Sequence, residues 1–350
     1  SLKYFIMIPT NFSEYFQSLD FKERQAIVNE LTLLISTDTD DTFGILSKAD
    51  ARKSTSCPHC LGDSIRANGK SSNGVQRYYC KDCKKYFRDT TGKVIFGLKK
   101  PALLSKYLYN MLMGYSIKKC GEQTGVCVQT SFDWRHKILA SLSMINGNSF
   151  VGIIECDDKQ FKINEKGNRK LERKAYKRPS DRKTKRGVSN DKLSVMVATD
   201  RKGNSLMKIA KMGRIDSDSV EKAIGSFINP NNILCSDSHP SIILWANRKK
   251  LEHHTFVASK QHVKSKCYHV QHVNSLDNRY ERWIKPFYGV ATKYLSQYLN
   301  WFVFIQKIKK SSEPLKEFAN IIMANIKTIN QYRNIEKEYE KLNIPHYLRT

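Results

Sequence analysis

Residues 230–240 read PNNILCSDSHP. Ile233, Leu234 and Cys235 suit a buried strand, and the run then breaks on Asp237, small polar residues and a proline. Taken alone, Ser-Asp-Ser-His-Pro is ordinary turn chemistry. It gains meaning if a second carboxylate arrives at the same place. Residues 151–158, VGIIECDD, offer one: another short apolar run, expected to end as a strand on Asp157. In open α/β sheets ligands sit in the crevice beyond the strand ends, so two aspartates delivered there from different strands could share a hard cation.

The surrounding segments supply the rest of such a sheet. KLSVMVATD (192–200) and SLMKIAKMG (205–213) read as strands, DSVEKAIGSF as a helix, and HHTFV as a further strand before helices near 270–285 and 290–309. The order βββαβαβα predicts an α/β domain with a mixed sheet covered on its faces, spanning 149–310 within a multidomain α+β chain. Phe287, Tyr294, Tyr298 and Trp301 recur at helical spacing and read as core.

Upstream, Cys57, Cys60, Cys80 and Cys83 form two CxxC pairs separated by 19 residues. Each CxxC folds as a tight turn that aims two thiolates at one point, and two such turns complete the tetrahedron that Zn²⁺ prefers. Asn-Gly pairs and the β-rich VQRYYC between them suit the hairpins of a zinc ribbon, placed at 49–98. Four cysteines leave no open position, so this zinc is expected to be structural. The other five of the nine cysteines are scattered, which speaks for a reducing compartment and against a disulfide framework.

Residues 99–148 resolve into three helical pieces, with Leu104, Leu108 and Met111, then Trp134, Ile138 and Leu142, facing inward. The turn at Thr124 and Gly125 gives the spacing of a helix-turn-helix. Gln129, Thr130, Ser131, Arg135 and Lys137 are expected to face outward toward bases and phosphates, with Lys118 and Lys119 beside them. Residues 1–48 read as a helical segment with a polar linker, and 311–350 as a charged helical tail.

The chain holds 60 Lys and Arg against 33 Asp and Glu, a net charge of +27 over 350 residues. A field of that size calls for a polyanionic partner, nucleic acid before an anionic membrane surface. No apolar run approaches the ~18 residues of a membrane span. The segment 159–192 alone has 14 basic and 4 acidic residues, Arg182, Lys183, Lys185 and Arg186 among them. Such an insertion is expected to be disordered when free and to order on a phosphate backbone.

IIECDD, ILCSDSHPS and HVNSLDNRYERWIKPFYGVATKYLSQYLNWF, following a ribbon and a helix-turn-helix, resemble the DDE-type transposases of the Merlin-related insertion-sequence group. The resemblance covers roughly residues 50–310 and implies a ribonuclease H-like catalytic domain. It maps the catalytic positions to Asp157, Asp237 and Asn274, with Asp157 and Asp237 as magnesium ligands. Seven residues after the asparagine, where relatives commonly carry a lysine, stands Glu281. Asn274, Asp277 and Glu281 share a helix face, so three readings stay open: Glu281 supplies ligand charge, Arg279, Arg282 or Lys285 replaces the lysine, or catalysis is impaired.

The implied chemistry is in-line phosphoryl transfer with two Mg²⁺ (or Mn²⁺) ions about 3.5 to 4 Å apart. The implied partner is double-stranded DNA, transposon ends and target, bound by a homodimer or larger oligomer associated with a bacterial nucleoid in the cytoplasm. A non-catalytic DNA-binding regulator and a nuclease that cuts without joining are the alternatives.

Overall fold

The computed structural model describes residues 10–21, 23–24, 27–28, 56–71, 75–142, 149–169, 171, 189–256 and 267–349. The linker at 36–44 and most of the basic insertion, with Arg182, Lys183, Lys185 and Arg186, lie outside them.

After a short helix α1 (Thr10–Ser18), the cysteine-rich region forms a three-stranded antiparallel sheet: β1 (Ile65–Lys70), β2 (Gln76–Cys80) and β3 (Tyr86–Arg88). The Asn68-Gly69 pair does not turn the chain. Gly69, at φ 67°, lies where the β1–β2 register shifts between Ala67 and Lys70, because a residue in the left-handed region accommodates a bulge as well as a turn. Tyr78, Cys80 and Phe87 face inward onto Cys57, forming a small core.

Three helices follow: α2 (Leu104–Leu112), α3 (Ile117–Thr124) and α4 (Val128–Ser141). The Ser116 side chain caps α3 by accepting from the Lys119 N–H, and Gly125, at φ 75°, stops it in the left-handed conformation that glycine adopts without a Cβ clash.

The central sheet comprises β4 (Ile153–Lys162), β5 (Lys192–Asp200), β6 (Ser205–Met212), β7 (Ile233–Asp237) and β8 (Glu252–Phe256), in the order β6-β5-β4-β7-β8. The first three form an antiparallel meander, and β7 and β8 join β4 in parallel. Strand alternation sorts the side chains. Ile154, Cys156, Met196, Ala198 and Leu234 pack under α5 (Ser217–Ile224) and α6 (Pro240–Arg248). Leu193, Val195 and Val197 face the opposite way, against α7 (Gln271–Ile284) and α8 (Thr292–Ile308).

One expectation is corrected. Asp157 does not end its strand: β4 continues to Lys162, because β5 pairs with it along its whole length while β7 stops at Asp237.

Helix α8 serves two cores. Leu295, Leu299 and Phe302 meet the sheet, whereas Tyr298, Trp301, Phe304 and Ile305 meet α2, α4 and the C-terminal α9 (Pro314–Ala324). A helix apolar on nearly every side must be covered on every side, and here it fixes α2–α4 to the sheet.

Candidate active site and nucleic-acid interface

Cys156 pairs with Ser236 across the parallel β4–β7 ladder, so the next residue on each strand is Asp157 and Asp237. Neighbouring strands run about 4.8 Å apart, and both aspartates point to the face that α7 covers. Asp237 accepts from the His239 backbone N–H at 3.3 Å, forming the turn into α6. Asp157 accepts from the Asp158 N–H at 2.8 Å. Burial, and then the nearby Asp237 charge, push the Asp157 carboxyl up to about 7.

Helix α7 brings a third carboxylate. Val273, Leu276 and Tyr280 are its buried stripe, and Asp277 lies on the flank of that stripe toward the strands. Burial pushes Asp277 up to about 6, and Lys159 opposes the shift. Its Oδ1 is buried with no hydrogen-bond partner. Asn274, one turn earlier, is exposed. Glu281, one turn later, forms a 3.0 Å ion pair with Lys159, which stands two residues beyond Asp157 on the same strand face. Arg279, Arg282 and Lys285 are exposed along the same helix and just past its end. The Arg279 guanidinium donates to Gln306 Oε1 at 2.8 Å.

Sequence reasoning missed Glu155. Its side chain is 1% exposed and accepts from the backbone N–H groups of His272 (2.7 Å) and Val273 (3.0 Å) in the first turn of α7. Arg201 pairs with it at 2.6 Å, and both His269 and His272 lie against it. Ligand atoms of Glu155, His269 and His272 fall within 4.8 Å of one another. The Arg201 guanidinium nevertheless touches all three, so the buried charge is already neutralised by a side-chain cation. The signal was available in the apolar IIECDD, where a glutamate stands alternate to Ile154 and Cys156 on a strand buried on both faces.

The four cysteines of the two CxxC pairs converge. Cys57 and Cys83 sulfurs are 3.6 Å apart, as are those of Cys60 and Cys80, and all four lie within 4.8 Å. Each pair is followed by a residue in the left-handed region, Leu61 and Lys84, which turns the chain back so that both thiols of the pair look the same way.

The candidate reading helix is partly re-drawn. Lys118, Lys119 and Gln129 are exposed and Thr130 and Lys137 half-buried, but Ser131 and Arg135 are 0% exposed. Ser131 donates to the Ile117 carbonyl and Arg135 to the Tyr115 carbonyl, while the Arg135 guanidinium lies 4.6 Å from the Trp301 ring. These two polar residues fall on the inward stripe with Trp134 and Ile138, because α4 is enclosed by α3 on one side and α8 on the other.

Residues 150–306 match the ISXO2-like transposase domain family. Over 161 residues the chain is 29% identical to an uncharacterized protein in transposable element ISH50 of Halobacterium salinarum, which amounts to 45% of this chain and 53% of that relative. The chain thus spans about half the length of the curated relative it matches.

Proposed function

We propose that the protein, whose residues 150–306 match the ISXO2-like transposase domain family, binds the terminal inverted repeats of its element and cuts and joins DNA at the carboxylates of β4, β7 and α7. One observation carries this reading. Asp157 and Asp237, distant in sequence, stand on adjacent parallel strands with Asp277 of α7 beside them. The antiparallel meander extended by two parallel strands supports a ribonuclease H-like fold for the domain.

The donor set fits Mg²⁺ or Mn²⁺. It offers carboxylate oxygens only, with Asp157 held near 7 by burial and then by the Asp237 charge, and an orphaned buried oxygen on Asp277. Two such ions, when bound, supply Lewis acidity and a more acidic water for phosphodiester chemistry. The chain's part is to hold them. Asp157 and Asp237 act as catalytic ligands from two strands, and Asp277 closes the site from the helix. Asn274, exposed at the start of the same face, would meet the DNA or an ion. Lys159 neutralises part of the acidic cluster, and Glu281 holds Lys159.

The four-cysteine cluster fits a structural Zn²⁺, since Zn–S bonds of about 2.3 Å put tetrahedral sulfurs roughly 3.8 Å apart. Lys118, Lys119 and Gln129 form the exposed part of a helix-turn-helix surface for duplex DNA, with half-buried Thr130 beside them. Arg282 and Lys285 extend the basic surface at the end of α7. No helix among the described residues is long and apolar enough to cross a membrane. Joining two ends calls for a dimer or larger assembly.

A strand-transfer assay with Mg²⁺ and candidate element-end duplexes tests this. Joined product supports the transposase. Cut but unjoined product supports a nuclease, and bound but uncut DNA a regulator.

A further inference from the structure

The outer face of the cysteine-rich sheet carries a feature that neither the carboxylate cluster nor the helical surface uses. The register opposes Arg66 with Tyr79, Tyr79 with Tyr86, and Arg77 with Arg88. Directly opposed residues share a face, so three arginines and two tyrosines line one side while Tyr78, Cys80 and Phe87 line the other. The arginines and Tyr86 are exposed, and Tyr79 is half-buried.

The side chains interleave. The Arg66 guanidinium lies 5.0 Å from the Tyr79 ring centroid, that of Arg77 5.9 Å from the Tyr86 centroid, and the two rings 4.9 Å from each other. A guanidinium resting on an aromatic face keeps its N–H donors at the ring edge and gives up little further freedom when it binds an anion.

The Arg77–Arg88 pair is the telling one. Like charges directly opposed across two strands destabilise a sheet, and none of the five residues on this face is acidic. The sheet is small and has little core with which to offset such repulsion. A polyanion lying across it would turn the repulsion into attraction.

The geometry points to this face as a docking surface for the phosphate backbone of duplex DNA, with Arg66, Arg77 and Arg88 as the phosphate contacts. Duplex is favoured over single strands because the tyrosine faces that would stack unpaired bases already carry guanidinium groups or each other. The inference rests on the DNA-handling reading above and adds the part of the chain, outside residues 150–306, that grips DNA irrespective of sequence.

The test uses the full zinc-loaded chain and a fluorescent random-sequence 30-bp duplex, with affinity followed by anisotropy from about 50 to 200 mM NaCl, a range in which phosphate contacts dominate the salt dependence. Each phosphate contact contributes about 0.9 to the slope of log affinity against log salt, so replacing Arg66, Arg77 and Arg88 with glutamine is expected to lower the slope by roughly 2 to 3. The triple lysine variant is expected to keep the slope. Arg77→Gln alone relieves the cross-strand repulsion, so it is expected to slow zinc loss to a chelator while weakening duplex binding. A purely structural role predicts faster zinc loss.

An unchanged slope in a glutamine variant that retains its zinc overturns the proposal. So does tighter binding of a 30-nucleotide single strand than of the duplex, or an Arg77→Gln chain that loses zinc faster. A wild-type chain that ignores the duplex altogether removes the DNA-handling reading as well, which keeps the two failures distinct.

Discussion

The carboxylate of Glu155 accepts a 3.0 Å hydrogen bond from the backbone N–H of Val273, tying the first turn of α7 to the start of β4. The N-terminal N–H groups of a helix lack partners within the helix, and a carboxylate satisfies them while answering the positive end of the dipole. Because Asp277 sits one turn further on, this anchor sets where the third carboxylate stands relative to Asp157. Glu155→Ala would leave Arg201 unpaired and the helix start uncapped. A loss of about 3 to 5 kcal/mol is expected in urea unfolding, the range for breaking one side of a buried pair. Glu155→Gln, which keeps an acceptor, should lose less. A loss within ~0.5 kcal/mol for the alanine variant, as for an ordinary surface site, would show that α7 is held elsewhere.

Arg135 illustrates how a basic residue on a candidate reading helix can belong to the core. It is 0% exposed, with its Nε and Nη1 lacking partners, and it spans from the Tyr115 carbonyl to the Trp301 ring. Arg135→Ala is therefore expected to lower the Tm without changing the salt dependence of duplex binding. Lys118→Gln and Lys119→Gln, at exposed positions, are expected to flatten that dependence by roughly 0.9 each while leaving the Tm nearly unchanged. Reversal of the two patterns would return Arg135 to the interface.

These cases show what the sequence could carry. Strand identity and the pairing of Asp157 with Asp237 were legible, because alternation and apolar runs are local signals that a buried sheet must obey. The length of β4 was not, since pairing with β5 past the end of β7 is set between strands and leaves no mark in IIECDD. The two-faced packing of α8 was half legible: its aromatic spacing announced a core but not that two cores meet on one helix. Ser131 and Arg135 were misplaced for the same reason. Residue type suggested solvent, and only the enclosure of α4 decides otherwise. Glu155 was overlooked because a single glutamate in a strand becomes informative only once the helix it anchors is folded against it.

The acidic cluster makes stability depend on pH in a stated direction. Asp157, at about 7, and Asp277, at about 6, are both raised from an ordinary value of 3.8, chiefly by burial. The stability they contribute to the metal-free chain is complete below about 4 and is lost as pH rises through 6 and 7, because ionisation is harder in the folded state. The Tm without divalent ions is thus expected to fall between pH 5 and 8. Ion binding requires the ionised carboxylates, so Mg²⁺ should raise the Tm more at pH 8 than at pH 5. Asp157→Asn should abolish most of that difference. A magnesium effect equal at both values, or unchanged in the variant, would place the ion elsewhere.

The ion pair between Lys159 and Glu281 separates the roles left open for Glu281. Lys159 is 17% exposed and lies beside the carboxylates, whereas Glu281 is 60% exposed and reaches inward only as far as the lysine nitrogen, 3.0 Å away. A glutamate so placed is expected to restrain a cation and not to ligate a metal. Glu281→Gln should change stability by less than about 1 kcal/mol, as for other exposed pairs, and should keep the magnesium-dependent Tm shift. Lys159→Met removes the charge that holds Asp277 down, so the proton uptake assigned to Asp277 should move to higher pH. Proton titration by NMR on the two variants checks both outcomes. Loss of the magnesium shift in Glu281→Gln would make Glu281 a ligand after all, and an unmoved Asp277 in Lys159→Met would mean that the lysine does not act on the site.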